Sequence, residues 1–195
     1  MAAAATAAAA ARDLAALVQG LRSNRASKQA TAAMRLADLA AHHPASKIAI
    51  LAAGGAPALV QLLHSRDNKV LGAACAAHAE VAYGDPRSQA EIAAAGGIPP
   101  LTSLLHSSDA AVVANAACAL GRLTLQNASN VAALTATNCI PRLLQLLRDS
   151  SSAGVQAYAS LLPGSVGGSL ASCAADMIAG GGIPLLVQRL QSSEL

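Results

Sequence analysis

Phenylalanine and tryptophan are absent from the 195-residue sequence, and Tyr83 and Tyr158 are its only tyrosines. A core must therefore be assembled from Ala, Leu, Val and Ile, which dominate a 54% hydrophobic composition. Small aliphatic side chains bury little area each, and burial is worth roughly 25 cal/mol per Å². A unit of two or three such helices is weak alone, so neighbouring units must stack to supply stability. Charge is scarce as well: charged residues make up 12% of the chain and the formal net charge is +3. That excess is too small to announce a nucleic-acid or anionic-membrane partner, and basic clusters interleaved with aromatics are missing.

Long apolar runs are missing too. No stretch of 18 apolar residues escapes helix-breaking punctuation, which argues against a membrane span. Cys75, Cys118, Cys139 and Cys173 are 43, 21 and 34 residues apart. This matches neither a close-pair metal site nor a redox pair, so the thiols read as buried small fillers in a reducing compartment, cytoplasmic or nuclear. No cofactor or metal is expected. Catalytic motifs are equally lacking. Pro163-Gly164-Ser165-Val166-Gly167 has no strand ahead of it and has Gly directly before Ser, unlike a nucleophile elbow. The glycine-rich stretch 164–169 lacks the lysine of a phosphate loop. An enzyme is not expected.

What the sequence does contain is a repeat. Gly54-Gly55-Ala56-Pro57, Gly96-Gly97-Ile98-Pro99, Asn138-Cys139-Ile140-Pro141 and Gly181-Gly182-Ile183-Pro184 succeed one another at 42, 42 and 43 residues, and each opens the same apolar segment. Residues 16–23 repeat 58–65 almost unchanged, which adds a degenerate opening copy. In the clearest unit, Gln89 to Ala95 is predicted as a short helix closed by Gly96-Gly97, where glycine adopts the left-handed conformation. Pro99 starts a second helix in its first turn. Leu101, Leu104 and Leu105 give that helix a core-facing stripe. Asp109 is placed to cap a third helix over Ala110 to Leu125, with Val112, Ala116, Leu120 and Leu123 on its buried side.

The run Ile92-Ala-Ala-Ala-Gly-Gly-Ile-Pro99, Ser107-Ser-Asp109, Val112 and Ala116-Ala-Cys-Ala-Leu120 resembles the armadillo repeat family. The resemblance spans roughly residues 13–195. It implies an all-α, right-handed α-solenoid of three-helix repeats, about four in number with the first and last degenerate or incomplete. An Ala-rich low-complexity tail is expected over 1–12, with repeats after it at approximately 13–44, 45–87, 88–130, 131–168 and a partial 169–195. The tail and the arginines after it imitate an organelle transit peptide, but removing such a leader would consume residues that already fit the repeat. Asn138-Cys139 replaces one glycine pair, and Asn tolerates the helix-ending conformation. Pro163-Gly164 interrupts the third helix of the next copy. The last copy halts after its second helix, so self-association through an uncovered end, or a fragment of a longer array, is expected there.

In armadillo-type solenoids the third helices line a groove that holds extended peptides or partner surfaces. A 42-residue alignment puts Thr31, Ala73 and Asn115 in one column, Met34, Ala76 and Cys118 in the next, and Asp38, Glu80 and Arg122 one turn further on. The partner-binding residues implied are Met34, Asp38, Glu80, Asn115, Cys118 and Arg122. The family's nuclear-import adaptors hold Trp and Asn in the columns of Met34 and Asp38; this chain has neither there, which argues against import-signal recognition. Asp38 and Glu80 would receive a partner's Lys or Arg and Arg122 an acid, or all three are solvated groove charges. His64 and His106 recur at one repeat position near a helix C-terminus, where a cation complements the dipole, and His42-His43 read as loop residues beside Pro44. The function implied is a non-catalytic scaffold or adaptor for a protein or extended peptide. The alternative is the substrate-recruiting part of a U-box-type ubiquitin ligase system, although no U-box pattern occurs in the sequence.

Overall fold

The computed structural model describes residues 2–149, and among them the backbone forms helices and no strand. The helices are α1 (Ala2–Leu21), α2 (Ala26–His42), α3 (Ser46–Ala52), α4 (Gly55–Leu62), α5 (Asn68–Ala82), α6 (Pro86–Ala94), α7 (Ile98–Leu104), α8 (Ala110–Thr124), α9 (Ala128–Thr135) and α10 (Ile140–Asp149). Two complete short-short-long triplets are present, α3-α4-α5 and α6-α7-α8, with α2 as the long helix of the copy before them. The Pro163-Gly164 interruption, Tyr158, Cys173 and the copy after Gly181 lie outside the described residues.

The punctuation between helices explains the triplets. Gly54, Gly96 and Asn138 end the first helices of three successive copies with φ of 76°, 83° and 54°. Two glycines and an asparagine thus share one left-handed position, the conformation these residue types adopt most readily. The neighbouring positions 55 and 97 are glycine for a different reason. A Cβ at Gly55 would sit 2.6 Å from the carbonyl oxygen of Ile50, and one at Gly97 would sit 2.9 Å from an Ile92 methyl. The third copy places Cys139 there instead, buried, with its thiol 3.6 Å from the Leu134 carbonyl.

The long helices begin on side-chain caps. Asp67 accepts from the amide of Lys69, and Asp109 from those of Ala111 and Val112. The serines two residues earlier, Ser65 and Ser107, accept from the amides of these aspartates at 3.1 Å. Position 25 completes this column with an arginine: Ser23 still accepts from its amide at 3.2 Å, but α2 starts with no side-chain cap. Asp85 and Asn127 form a second cap column, at the start of α6 and α9.

Packing is then set by residue size. Helices α2, α5 and α8 stack side by side through Ala33, Leu36 and Ala40, Ala74, Cys75 and Ala77, and Ala116, Ala117 and Leu120, all buried. Alanine-rich faces let helix axes approach closely, so area lost per side chain is partly recovered as close packing. Val112, Ala116, Leu120 and Leu123 are buried, as the periodicity of α8 requires. On α7 the buried residues are Ile98, Leu101 and Thr102, with Leu105 buried just past its end, while Leu104 is half-buried and packs against the edge of the core. The short helix turns Ile98, Leu101, Thr102 and Leu105 inward as one i, i+3, i+4, i+7 stripe. Thr102 is accommodated because its hydroxyl donates to the Ile98 carbonyl at 2.9 Å.

Adjacent elements are also tied by a recurring polar bond. Gln89 Nε2 donates to the carbonyl oxygens of Arg122 (2.9 Å) and Leu125 (3.2 Å). One repeat earlier, Lys47 Nζ donates to the carbonyl of Tyr83. Residues 47 and 83 stand in the same register as 89 and 125, so a buried lysine takes the structural place of a buried glutamine.

Candidate partner-binding groove

Each long helix leaves the aligned columns at least partly uncovered. Thr31, Met34 and Asp38 are among the exposed residues of α2, Ala76 and Glu80 are half-buried on α5, and Asn115, Cys118 and Arg122 are half-buried on α8. Spacings of three, four and seven keep each set on a single helix face. Ala73 is buried and gives the middle layer a low floor. Beside it a Cβ on Gly72 would lie 3.6 Å from Asn115 Nδ2, so the asparagine leans across from α8 towards α5. Met34 is 49% exposed, a large apolar side chain offered to solvent.

The charges sort unevenly. Arg122 Nη1 lies 2.6 Å from Glu80 Oε1, linking α8 to α5, with the two side chains 23% and 29% exposed. The contact is a close ion pair and not an aligned hydrogen bond. At this exposure such a pair contributes up to about 1 kcal/mol. Asp38 takes no part. It borders a separate shallow recess with Arg35, Leu39, His42 and His43, and the Asp38 carbonyl meets His42 Nδ1 at 2.8 Å. The structure thus brings Glu80 and Arg122 together and leaves Asp38 aside.

Three residues that the repeat pattern did not single out complete this end of the groove. Tyr83 is 55% exposed, and the Arg122 guanidinium lies 4.8 Å from its ring centroid. Lys47 Nζ lies 5.8 Å from the same centroid, so two cations face one ring. Ile48 is exposed nearby. With Pro44, Glu80 and Arg122 these side chains enclose an open cleft of about 650 Å³. Burial holds the Lys47 ammonium below its ordinary pKa, partly countered by Asp85 and Glu80. A signal for Tyr83 existed in the sequence, since one of only two aromatic residues in an Ala-rich array is conspicuous. None marked Lys47 until its register with Gln89 was visible.

Chemically, the face offers small-residue floors, one amide, one soft apolar anchor and one self-neutralised ion pair. Among the described residues no group of three or more His, Cys, Asp and Glu side chains is arranged to hold a metal. No helix among them is long and apolar enough to cross a membrane.

The sequence matches the Armadillo/beta-catenin-like repeat over residues 43–77 and 85–125. No curated protein matches the chain. Among solved structures, a crystallised engineered protein is 30% identical, aligns over 90% of this chain and 71% of its own, and superposes with a TM-score of 0.83. A designed armadillo repeat protein shares 24% identity over 90% of this chain and 73% of its own, with a TM-score of 0.82. A further designed armadillo repeat protein, in complex with the peptide (KR)4, shares 23% identity over 91% of this chain and 74% of its own, with a TM-score of 0.81.

Proposed function

The chain belongs to the armadillo repeat family, and from that premise we propose that it is a non-catalytic scaffold holding a partner protein or extended peptide along the face of α2, α5 and α8. The observation that carries this reading is the in-register stack of the three long helices, each with a partly uncovered stripe. An extended peptide advances by about 3.3 Å per residue, so one crossing a stack of helices meets each layer with successive side chains. Met34, Asn115 and Cys118 then contact the peptide directly. Asp38 attracts a basic side chain on the first layer. Glu80 and Arg122 neutralise each other when no partner is present, and each becomes available to an opposite charge only when the pair opens. The designed relative in complex with (KR)4 supports peptide capture as a use of this architecture. The same reading places the protein in the cytoplasm or nucleus, where a reduced, buried Cys75 persists.

Asn115→Arg tests the assignment, because it puts a long charged side chain onto the groove floor next to Gly72 while leaving buried positions alone. Display of a tiled peptide library against the full chain should enrich extended ligands, and their affinity should fall at least about tenfold in Asn115→Arg, a change of about 1.4 kcal/mol. Ligands that bind the variant and the parent equally well would move the site off this face.

A further inference from the structure

Positive charge in this molecule belongs to one end. Between residues 12 and 35 stand Arg12, Arg22, Arg25, Lys28 and Arg35 against Asp13 alone, an excess larger than the formal +3 of the whole chain. From residue 36 to 195 eight bases face nine acids. In the folded chain the basic set occupies the last turns of α1, its connection to α2, and the first half of α2. All five cations are solvent-exposed. The ion pairs among the described residues, Arg87 with Glu91 and Arg122 with Glu80, involve none of them.

The register shows why these side chains point outward. Lys28 and Arg35 hold the positions that Val70 and Ala77 fill on α5, and Val112 and Ala119 on α8, where all four are buried. On α2 the same positions are exposed beside α1. There the two helices leave an open cleft of about 630 Å³, whose walls include Leu17, Ser23, Ser27, Lys28, Thr31 and Arg35. Ammonium and guanidinium donors stand beside hydroxyls, with an apolar residue across from them. Lys28 and Arg35 make no ion pair among the described residues, and no acidic residue lines the cleft, although Asp38 borders a neighbouring recess with Arg35; like charges gathered at a concave surface focus a positive potential there.

We propose that the cleft between α1 and α2 docks an acidic peptide segment, with one carboxylate on Lys28 and a second on Arg35. Ser27 and Thr31 donate hydroxyl hydrogen bonds between them, and Leu17 packs on the stem of the ligand. Seven residues of helix rise by about 10 Å, the length of about three residues of extended chain. The ligand therefore carries two acidic residues about three positions apart. A peptide suits the cleft better than a nucleic acid, for which the cleft supplies two cations and no aromatic platform. This site meets the face of α2, α5 and α8 only at Thr31, and its two cations lie outside the residues assigned to that face, so it stands or falls without it.

The test is fluorescence anisotropy of the full chain with fluorescein-labelled octaglutamate, alongside octalysine and octauridylate. Saturable binding of octaglutamate and none of octalysine is expected, with affinity falling severalfold between about 50 and 200 mM salt. Lys28→Glu with Arg35→Glu should weaken binding at least tenfold, while Glu80→Gln changes it less than twofold. Both substituted positions are exposed, so the helicity of the double variant should be unchanged; if it is not, Lys28→Gln with Arg35→Gln replaces it. Absence of saturable binding at low salt, equal binding by the double variant, or tighter binding of octauridylate than of octaglutamate would each overturn the proposal.

Discussion

At position 78 a histidine stands where leucine stands one layer before, at 36, and one layer after, at 120. All three are fully buried. The imidazole Nδ1–H donates to the Ala74 carbonyl at 2.7 Å, and Nε2 has no hydrogen-bond partner among the described residues. Burial pushes its pKa down to about 4, the Ala74 bond opposing this only in part. The native state therefore stays unprotonated until pH falls to about 4, whereas the unfolded chain takes up a proton near pH 6.5. Between those values the unfolded state binds more protons, so stability is complete above pH 6.5 and is lost as pH falls towards 4. The full effect is about 3 kcal/mol. His78→Leu should abolish this component, so that its stability advantage over the parent grows by about that amount from pH 7 to pH 4 in denaturant titrations. A difference that does not change with pH would place the imidazole in contact with water. Cys75, also buried between the long helices, obeys the same physics with opposite sign, its thiol pushed up to about 12 by burial alone.

At the scale of the element, each helix is delimited by residues chosen for its ends. In the column 25, 67, 109 a single departure changes how a helix begins. Asp67 and Asp109 satisfy first-turn amides that α2, beginning after Arg25, leaves without a side-chain acceptor. Because the backbone at Arg25 is already extended (φ −105°, ψ 117°) as at Asp67 (φ −99°, ψ 117°), the aspartate side chain needs no rearrangement to serve. Arg25→Asp should therefore stabilise the protein by about 1 kcal/mol, the carboxylate also being favoured at a helix N-terminus. Thermal unfolding reads the outcome, and a melting temperature at or below that of the parent would mean that α2 does not begin at this residue. On α7 the inner face takes in Thr102 as well as the leucines, with Leu104 packed at its edge, and the small cost of burying the hydroxyl is compensated by the Ile98 carbonyl.

Across the whole molecule, stability passes from layer to layer. Helix α5 is packed on one side by α2 and on the other by α8, while α1 packs chiefly on α2 and less on the short helices α3 and α4. In such arrays each unit draws its stability from its neighbours, and opening starts where neighbours are fewest. Native-state hydrogen exchange should accordingly be slowest for amides of α5, intermediate for α2 and α8, and fastest along the alanine-rich start of α1. Protection of α1 equal to that of α5 would show that the array opens as one cooperative block. The polar bonds of Lys47 to Tyr83 and of Gln89 to Leu125 tie the first helix of each triplet to the end of its own long helix.

The 42-residue period, the left-handed residues at 54, 96 and 138, the aspartate caps and the all-helical class were all legible in the sequence, because each rests on local chemistry within a few residues of chain. The pairing of Glu80 with Arg122, the two cations over Tyr83 and the separation of Asp38 from both were decided only by the tertiary structure. A repeat alignment places residues in columns, but equivalent positions on adjacent layers carry different side chains, and which of them meet depends on rotamers and helix spacing that no single column contains. The basic end of the chain was visible as a run of arginines and lysine. That it borders a cleft is a consequence of the packing of α1 on α2, where the contact of Gly20 with Ala32 sets how closely the helices approach.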